Sequence, residues 1–264
     1  MRVSALSLFL LAAVCALTAQ DALAGEKVKV VVLRENSIGS SSTAQPYVDK
    51  LVAVAAELNG WSAVKGYYLR NRKHLKKKKP DYAIMSLGAF LSMHEKVEVL
   101  GVADVTRDGG RNYYLISEKA SSLAECKGAQ LASNHAKDKR FINKVVAGGD
   151  FSLGDFEVVK TKRPVQTIKH VIRGKAKCAL VDDEQRKELS HVKGADKIKV
   201  IWTSKKLPPM PVVAFARTSA GDRTKFKGTL SSICSGRDIC KEVGIQALKP
   251  ADVSTYESVI KAYK

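Results

Sequence analysis

Acidic residues are scarce: 26 Asp and Glu stand against 45 Lys and Arg, a formal net charge of +19. Such a field repels cations at long range and attracts anionic ligands, anionic lipids or nucleic acid. Catalytic signatures are absent altogether. There is no GxSxG, HExxH, P-loop or GxGxxG, and His74, His94, His135, His170 and His191 stand apart from one another, so no enzyme is expected. Only five cysteines occur and none forms a CxxC pair, which argues against a zinc site; no metal or other cofactor is expected. No internal repeat is visible. After the first 24 residues no apolar run is long enough to span a bilayer.

Those first 24 residues read as an address. Arg2 precedes the apolar run ALSLFLLAAVCALTA, and Ala22-Leu23-Ala24 offers an A-x-A cleavage site before Gly25, the pattern of a secretory signal peptide. Cys15 follows Val14, not the small residue that lipidation needs. Export to the periplasm is therefore expected. Of the four remaining cysteines the most local pair is Cys234 with Cys240, leaving Cys126 with Cys178, and an even count in an exported chain favours two disulfides. Closing these loops is worth about 4 kcal/mol for the longer and about 2.4 kcal/mol for the shorter in the chain-entropy model.

Strands and helices alternate along the mature chain. Lys27 to Leu33 reads as a buried strand, and Ser40 to Thr43 supply N-cap candidates for a helix with Pro46 in its first turn and Asn59-Gly60 at its end. Strands at Ser62 to Leu69 and Tyr82 to Ser86, a short helix from Gly88 to His94 and a strand from Val97 to Val105 follow. Arg107-Asp108-Gly109-Gly110 breaks the pattern. Beyond it come strands from Asn112, Gln130, Phe156 and Cys178, with helices at Lys137 to Ala147 and from Pro164 to Gly174. Strands at Lys197 to Thr203 and Pro211 to Arg217 carry the chain back, and Ser254 with Glu257 suggest a capping box before a last helix. The pattern is that of βαβ units, hence an α/β chain with mostly parallel sheets flanked by helices. The divisions expected are 1–24 signal peptide, 25–106 first part of lobe 1, 107–203 lobe 2, and 204–264 the return to lobe 1.

Arg70 to Lys79, RNRKHLKKKK, is the densest charge run. A solvated connector is its first reading and peripheral contact with an anionic membrane surface its second. No aromatic residues interleave with the lysines, so no nucleic-acid partner is expected.

Open α/β sheets bind ligands beyond the carboxyl ends of their strands, where helix N-termini present free N–H groups. Three such turns carry hydroxyls or amides: Ser40, Ser41, Ser42 and Thr43, with Tyr47 in the helix behind; Ser86 with Gly88; and Ser133, Asn134 and His135. Converging on one anion, each donor adds about 1.5 to 3 kcal/mol; taken singly, each turn also reads as an ordinary helix cap.

Four segments resemble the phosphonate-type solute-binding proteins of ABC importers. KVIWTSKKLPPMPVV is the most specific, close to that family's [KR]-V-[IL]-W-x-S-P-x-[IL]-P-x-x-P-[VI]-V stretch; DYAIMSLGAF, SSLAECKGAQLAS and IRGKAKCALVDD are similar to its strand approaches. The resemblance implies a two-lobed type II periplasmic-binding-protein, or venus-flytrap, fold that captures a small oxyanion, phosphonate-, phosphate- or phosphite-like, for an importer whose permease is its partner. It sets Asp182 and Asp183 where the family places a carboxylate against a ligand amine, and it implies a monomer. Two departures matter: Ser133-Asn134-His135-Ala136 replaces a run of hydroxyls, and the lysine run replaces a helix before Asp81. The alternative is an orphan periplasmic binding or scaffold protein that senses a ligand, or binds an anionic envelope partner, without transport.

Overall fold

A computed structural model describes residues 27–105, 111–242 and 244–264. The expected signal peptide and the expected break at residues 107–110 lie outside them. Strand β1 (Val28–Leu33) is buried from Val30 onward, the near-continuous apolar look of a strand covered on both faces. Helix α1 (Ser41–Asn59) is capped by Ser40, whose Oγ accepts from the Thr43 N–H, and ends at Gly60 with φ 66°, a left-handed turn that glycine adopts without a Cβ penalty. Pro46 sits in the second turn, not the first, because the helix starts at Ser41; the hydrogen bond it cannot make falls at the exposed end, where Ser42 is open to solvent.

Strand β2 (Val64–Leu69), α2 (Leu75–Lys78), β3 (Tyr82–Met85), α3 (Leu87–Leu91) and β4 (Val97–Val105) follow. The lysine-rich segment folds as a 3-10 turn, Arg72–His74, running into α2, with Leu75 buried as its anchor. Next come β5 (Tyr113–Ser117), α4 (Leu123–Cys126), β6 (Gln130–Ser133), α5 (Lys139–Phe141), β7 (Glu157–Lys160), α6 (Pro164–Ile172), β8 (Cys178–Asp182), α7 (Asp183–Glu188) and β9 (Lys199–Thr203). The helix expected at Lys137 to Ala147 is only α5 continued by a π-helical stretch, Ile142–Val146. The chain closes with β10 (Met210–Phe215), α8 (Ala220–Ile233), α9 (Ile239–Glu242), β11 (Ile245–Pro250) and α10 (Glu257–Tyr263). The expected Ser254–Glu257 capping box is not formed: a 3-10 turn, Val253–Tyr256, occupies that segment and Tyr256 precedes α10 without a side-chain cap.

The strands form two sheets, ordered β11-β4-β10-β3-β1-β2 and β7-β6-β8-β5-β9. Both are mixed, with most strands sharing one direction as expected: four of six in the first sheet and four of five in the second. Strands β1, β2 and β3 are parallel, as are β6, β7 and β8, but β10 runs against β3 and β4, β11 against β4, and β5 against β8 and β9. The direction of entry decides this. Tyr113 at the start of β5 lies opposite Asp182 at the end of β8, and β10 starts beside the end of β3, so a chain crossing between sheets joins each from its carboxyl-end side and must run antiparallel.

Helices cover both sheets. On the first, Val48, Leu51 and Val52 of α1 pack with Val30, Val32, Phe226 and Leu230. One apolar cluster passes from Leu33, Met85 and Phe90 to Leu115, Leu131 and Cys178, so the two lobes share core. The disulfides pair Cys126 with Cys178 and Cys234 with Cys240.

Candidate functional site

Parallel strands of both sheets end facing one cleft. Arg34, Glu35, Asn36 and Ser37 follow β1; Ser86, Leu87 and Gly88 follow β3; His135 and Asp138 follow β6; Asp182 and Glu184 follow β8; with Arg72, Tyr113 and Phe141 they line a cavity of about 60 Å³, room for roughly four water molecules. A second cavity, about 350 Å³, lies outside it and is lined by Gly39, Ser40, Thr43, Tyr47 and Tyr68; Arg34 and Glu184 border both.

The lobes are joined across the cleft by charge. Arg34 pairs with Glu184, whose other oxygen accepts from the Ile38 N–H at 3.4 Å. Arg72 reaches Asp138 at 2.7 Å while also holding Glu35 of its own lobe at 2.6 Å. Burial works to lower the Arg72 pKa, but the hydrogen bond and charge of Glu35 and the charge of Asp138 outweigh it and hold the guanidinium above its usual range. Asn36 adds two neutral bridges: its Nδ2 lies 3.3 Å from His135 Nδ1, and its carbonyl accepts from Asn134 Nδ2 at 3.3 Å.

The cavity lining is acidic on balance, with the carboxylates of Glu35, Asp138, Asp182 and Glu184 set against the guanidiniums of Arg34 and Arg72. Tyr113 registers the same field. Burial pushes its phenol well up, and Asp182, Asp138, Asp183 and Glu35 add to the rise. Ser86 Oγ is the one lining hydroxyl that is buried without a hydrogen-bond partner among the described residues, and so a donor free for something in the cavity.

The candidate residues separate into groups. Ser86, Gly88, His135 and Asp182 line the inner cavity; Ser40, Thr43 and Tyr47 line the outer one; Ser41, Ser42, Ser133 and Asn134 line neither. Ser133 is a correction: its hydroxyl donates to the Leu180 carbonyl at 3.2 Å and accepts from the His135 N–H at 3.1 Å, so its single donor is not available to an anion. Asn134 is spent between Asn36 and Thr167. His135 corrects a second expectation. Its Nε2 lies 2.8 Å from Gln185 Oε1 and its Nδ1 faces the Asn36 amide; assigned from those partners, the ring N–H donates to Gln185. Asp182 caps α7, accepting from the Gln185 N–H within a capping box. Ser40 caps α1, its hydroxyl shared with Ser42 and Thr43. Gly88 serves by being small: a Cβ there would stand 3.2 Å from Asp138 Oδ2 and from the Phe141 ring of the other lobe.

Sequence reading missed Arg34, Glu35, Asn36, Arg72, Tyr113, Asp138 and Glu184. A signal existed for the first three, since a polar triplet, two of its members charged, at the end of a buried strand points out of the sheet's edge. Arg72 was hidden in the lysine run. Among the described residues no group of His, Cys, Asp and Glu is arranged to hold a metal.

Residues 68–256, well over half of the chain, match the model of a family described as ABC transporter, phosphonate, periplasmic substrate-binding protein. Three solved structures illustrate the likeness in fold. A binding protein component of an ABC phosphonate transporter from Pseudomonas aeruginosa is 16% identical with a TM-score of 0.66, over 89% of this chain and 86% of that one. XAC2383 from Xanthomonas citri bound to ATP is 10% identical with a TM-score of 0.71, over 90% and 96%. PhnD1 from Prochlorococcus marinus in complex with methylphosphonate is 13% identical with a TM-score of 0.61, over 89% and 96%. No curated protein sequence matches.

Proposed function

The chain belongs to the phosphonate periplasmic substrate-binding proteins of ABC transporters, and from that premise we propose that it captures a small zwitterion, an oxyanion carrying an amine, for delivery to an importer's permease. Membership of this family implies the periplasm. The pairing of both cleft arginines with carboxylates of the opposite lobe, Arg34 with Glu184 and Arg72 with Asp138, supports the zwitterion. A bare oxyanion taking either guanidinium would strand a carboxylate in a largely desolvated site, and breaking one side of a buried pair costs about 3 to 5 kcal/mol. A ligand with both charges exchanges partners instead: its oxyanion takes a guanidinium and the Ser86 hydroxyl, and its ammonium takes the carboxylate released.

Room for it comes from the same exchange. The inner and outer cavities share Arg34 and Glu184 as border, so parting that pair joins about 60 Å³ to about 350 Å³. Contacts from both lobes then favour the closed arrangement, and the ligand shifts the population toward it.

A thermal-shift series tests this with 2-aminoethylphosphonate and taurine against methylphosphonate, phosphate and sulfate. A zwitterion at 100 times its dissociation constant adds about 2.7 kcal/mol, a rise in Tm of about 5 to 11 °C for a chain of this size, while the simple anions leave Tm nearly unmoved. Equal stabilisation by methylphosphonate or phosphate would sink the amine half of the reading. A flat response to all five would favour the orphan scaffold instead.

A further inference from the structure

Between Glu157 and Asp182 the sequence holds seven Lys and Arg and no Asp or Glu. All seven, Lys160, Lys162, Arg163, Lys169, Arg173, Lys175 and Lys177, are exposed. None has an ion-pair partner among the described residues. In the lysine run of lobe 1, Arg70 is spent on the carbonyls of Ser37 and Gly39, Arg72 on Glu35 and Asp138, and Lys78 on the Tyr67 ring. Lys73, Lys76, Lys77 and Lys79 are exposed without an ion-pair partner among the described residues, but they border none of the three cavities.

Topology gathers more charge around the last three. Ser117 at the end of β5 pairs with Cys178 at the start of β8 and with Lys199 at the start of β9. Lys177, Lys119 and Lys199 therefore meet at one end of the second sheet, and Gly174 brings Arg173 and Lys175 there as it stops α6. The loop before β9 lies against the same spot, since a Cβ on Gly194 would stand 3.1 Å from Ile172 Cγ2; it carries exposed Lys193 and Lys197. Glu118, Glu157 and Asp196 share this end and are outnumbered. Between the cations lies a cavity of about 290 Å³ with Lys119 and Lys177 at its sides and Val171 and Ala176 among its lining. Glu118 also lines it, so the lining is cationic only on balance, and Arg173 and Lys175 add charge at its rim beside Gly174. A partly apolar recess with that balance suits a phosphate ester with its glycerol more than it suits water alone. The cleft opens at the other end of the sheet, where β6 and β8 finish, so both ends can be occupied at once.

We infer that this remote end of the second sheet is a docking surface for an anionic phospholipid bilayer, seated through Lys119, Arg173, Lys175 and Lys177 around the 290 Å³ cavity. The inference uses the family only to set the protein beside a membrane and does not depend on which ligand the cleft takes. Each cation near an anionic surface is worth about a fivefold change in partition, and the attraction fades with salt.

Vesicle co-sedimentation of the mature protein tests it without any cleft ligand, so the result stands apart from the zwitterion reading. The protein is expected to sediment with phosphatidylglycerol–phosphatidylcholine vesicles, not with phosphatidylcholine alone, and to be released on raising salt from about 0.05 to 0.3 M. The triple variant Arg173→Gln, Lys175→Gln, Lys177→Gln should lose partition at least tenfold with its Tm unchanged. The matched variant Lys73→Gln, Lys76→Gln, Lys77→Gln should keep most of it. No sedimentation with the anionic vesicles overturns the proposal, as does equal loss in the two variants, which would mean that only net charge counts. Binding to soluble polyphosphate in place of vesicles also overturns it.

Discussion

Ser86 follows β3 and Ser133 ends β6, one at the cleft end of each sheet, yet only one hydroxyl is available. Ser86 Oγ has no partner to lose, so Ser86→Ala should leave Tm of the protein alone unmoved and weaken ligand binding, read by calorimetry, by about 1 to 3 kcal/mol, the value of a hydrogen bond to a charged group. Ser133→Ala should do the reverse. It strands the buried His135 N–H and removes the bond to Leu180, a folding cost of about 1 to 3 kcal/mol seen in urea titration. Unchanged stability in Ser133→Ala, with lost binding, would put its hydroxyl back in the site. Tyr113 offers a pH test. Its phenol is raised by burial and by Asp182, Asp138, Asp183 and Glu35; a raised folded pKa stabilises the fold fully below the unfolded value of about 10 and loses that contribution as pH climbs above it. Tyr113→Phe should therefore make the fall of Tm above about pH 10 shallower; an identical slope would show that Tyr113 ionises freely in the fold.

Elements were legible in proportion to how local their causes are. Strand β1 announces itself by KVVVL, α1 by a serine cap and Asn59-Gly60, and α6 by Pro164 and Gly174. Nothing comparable marks β11, whose IQALKP lacks β-branching beyond Ile245 and which exists by pairing with β4. That pairing rests on Gly101. A Cβ there would lie 2.4 Å from the Lys249 carbonyl and 2.5 Å from Leu230 Cδ1 of α8, closer than atoms pack, and the backbone atom cannot swing aside. Gly101→Ala should accordingly cost about 1 to 3 kcal/mol or more in urea unfolding, with the loss of protection from hydrogen exchange concentrated in β11 and the end of β4. Normal stability in that variant would mean that α8 and β11 can move together as a unit.

At the scale of the molecule, the arrangement of the lobes depends on the charges between them. Arg34–Glu184 and Arg72–Asp138 cross the cleft as ion pairs between described residues, and the Glu184 side chain is only 10% exposed. Replacing Glu184 by Gln and Asp138 by Asn leaves Arg34 without its carboxylate and Arg72 without its cross-lobe one. The arginines recover hydration by opening, so the population should shift toward separated lobes. Small-angle scattering of the double variant, with no ligand added, should give a radius of gyration above the roughly 18 Å of a compact chain this long. A value equal to the parent's would show that the shared apolar core, not the ion pairs, keeps the lobes together.

What the sequence determined by itself was whatever short-range chemistry can encode: an α/β chain with alternating elements, and a family whose motifs lie within single strands and turns. The disulfide partners were only favoured by locality until the fold brought Cys126 to Cys178 and Cys234 to Cys240. Tertiary structure alone decided the directions of β5 and β10, because entry from the cleft side is a property of the crossing between sheets and of no local residue pattern. It also decided the site. Serine and aspartate at a helix start satisfy the backbone first, as Ser40 and Asp182 do, and whether a side-chain group remains for a ligand depends on what the other sheet brings to it. Arg34, Arg72, Asp138 and Glu184 read as ordinary surface charges one at a time, and it is their meeting across the cleft, from positions 34 to 184, that makes them the candidate site.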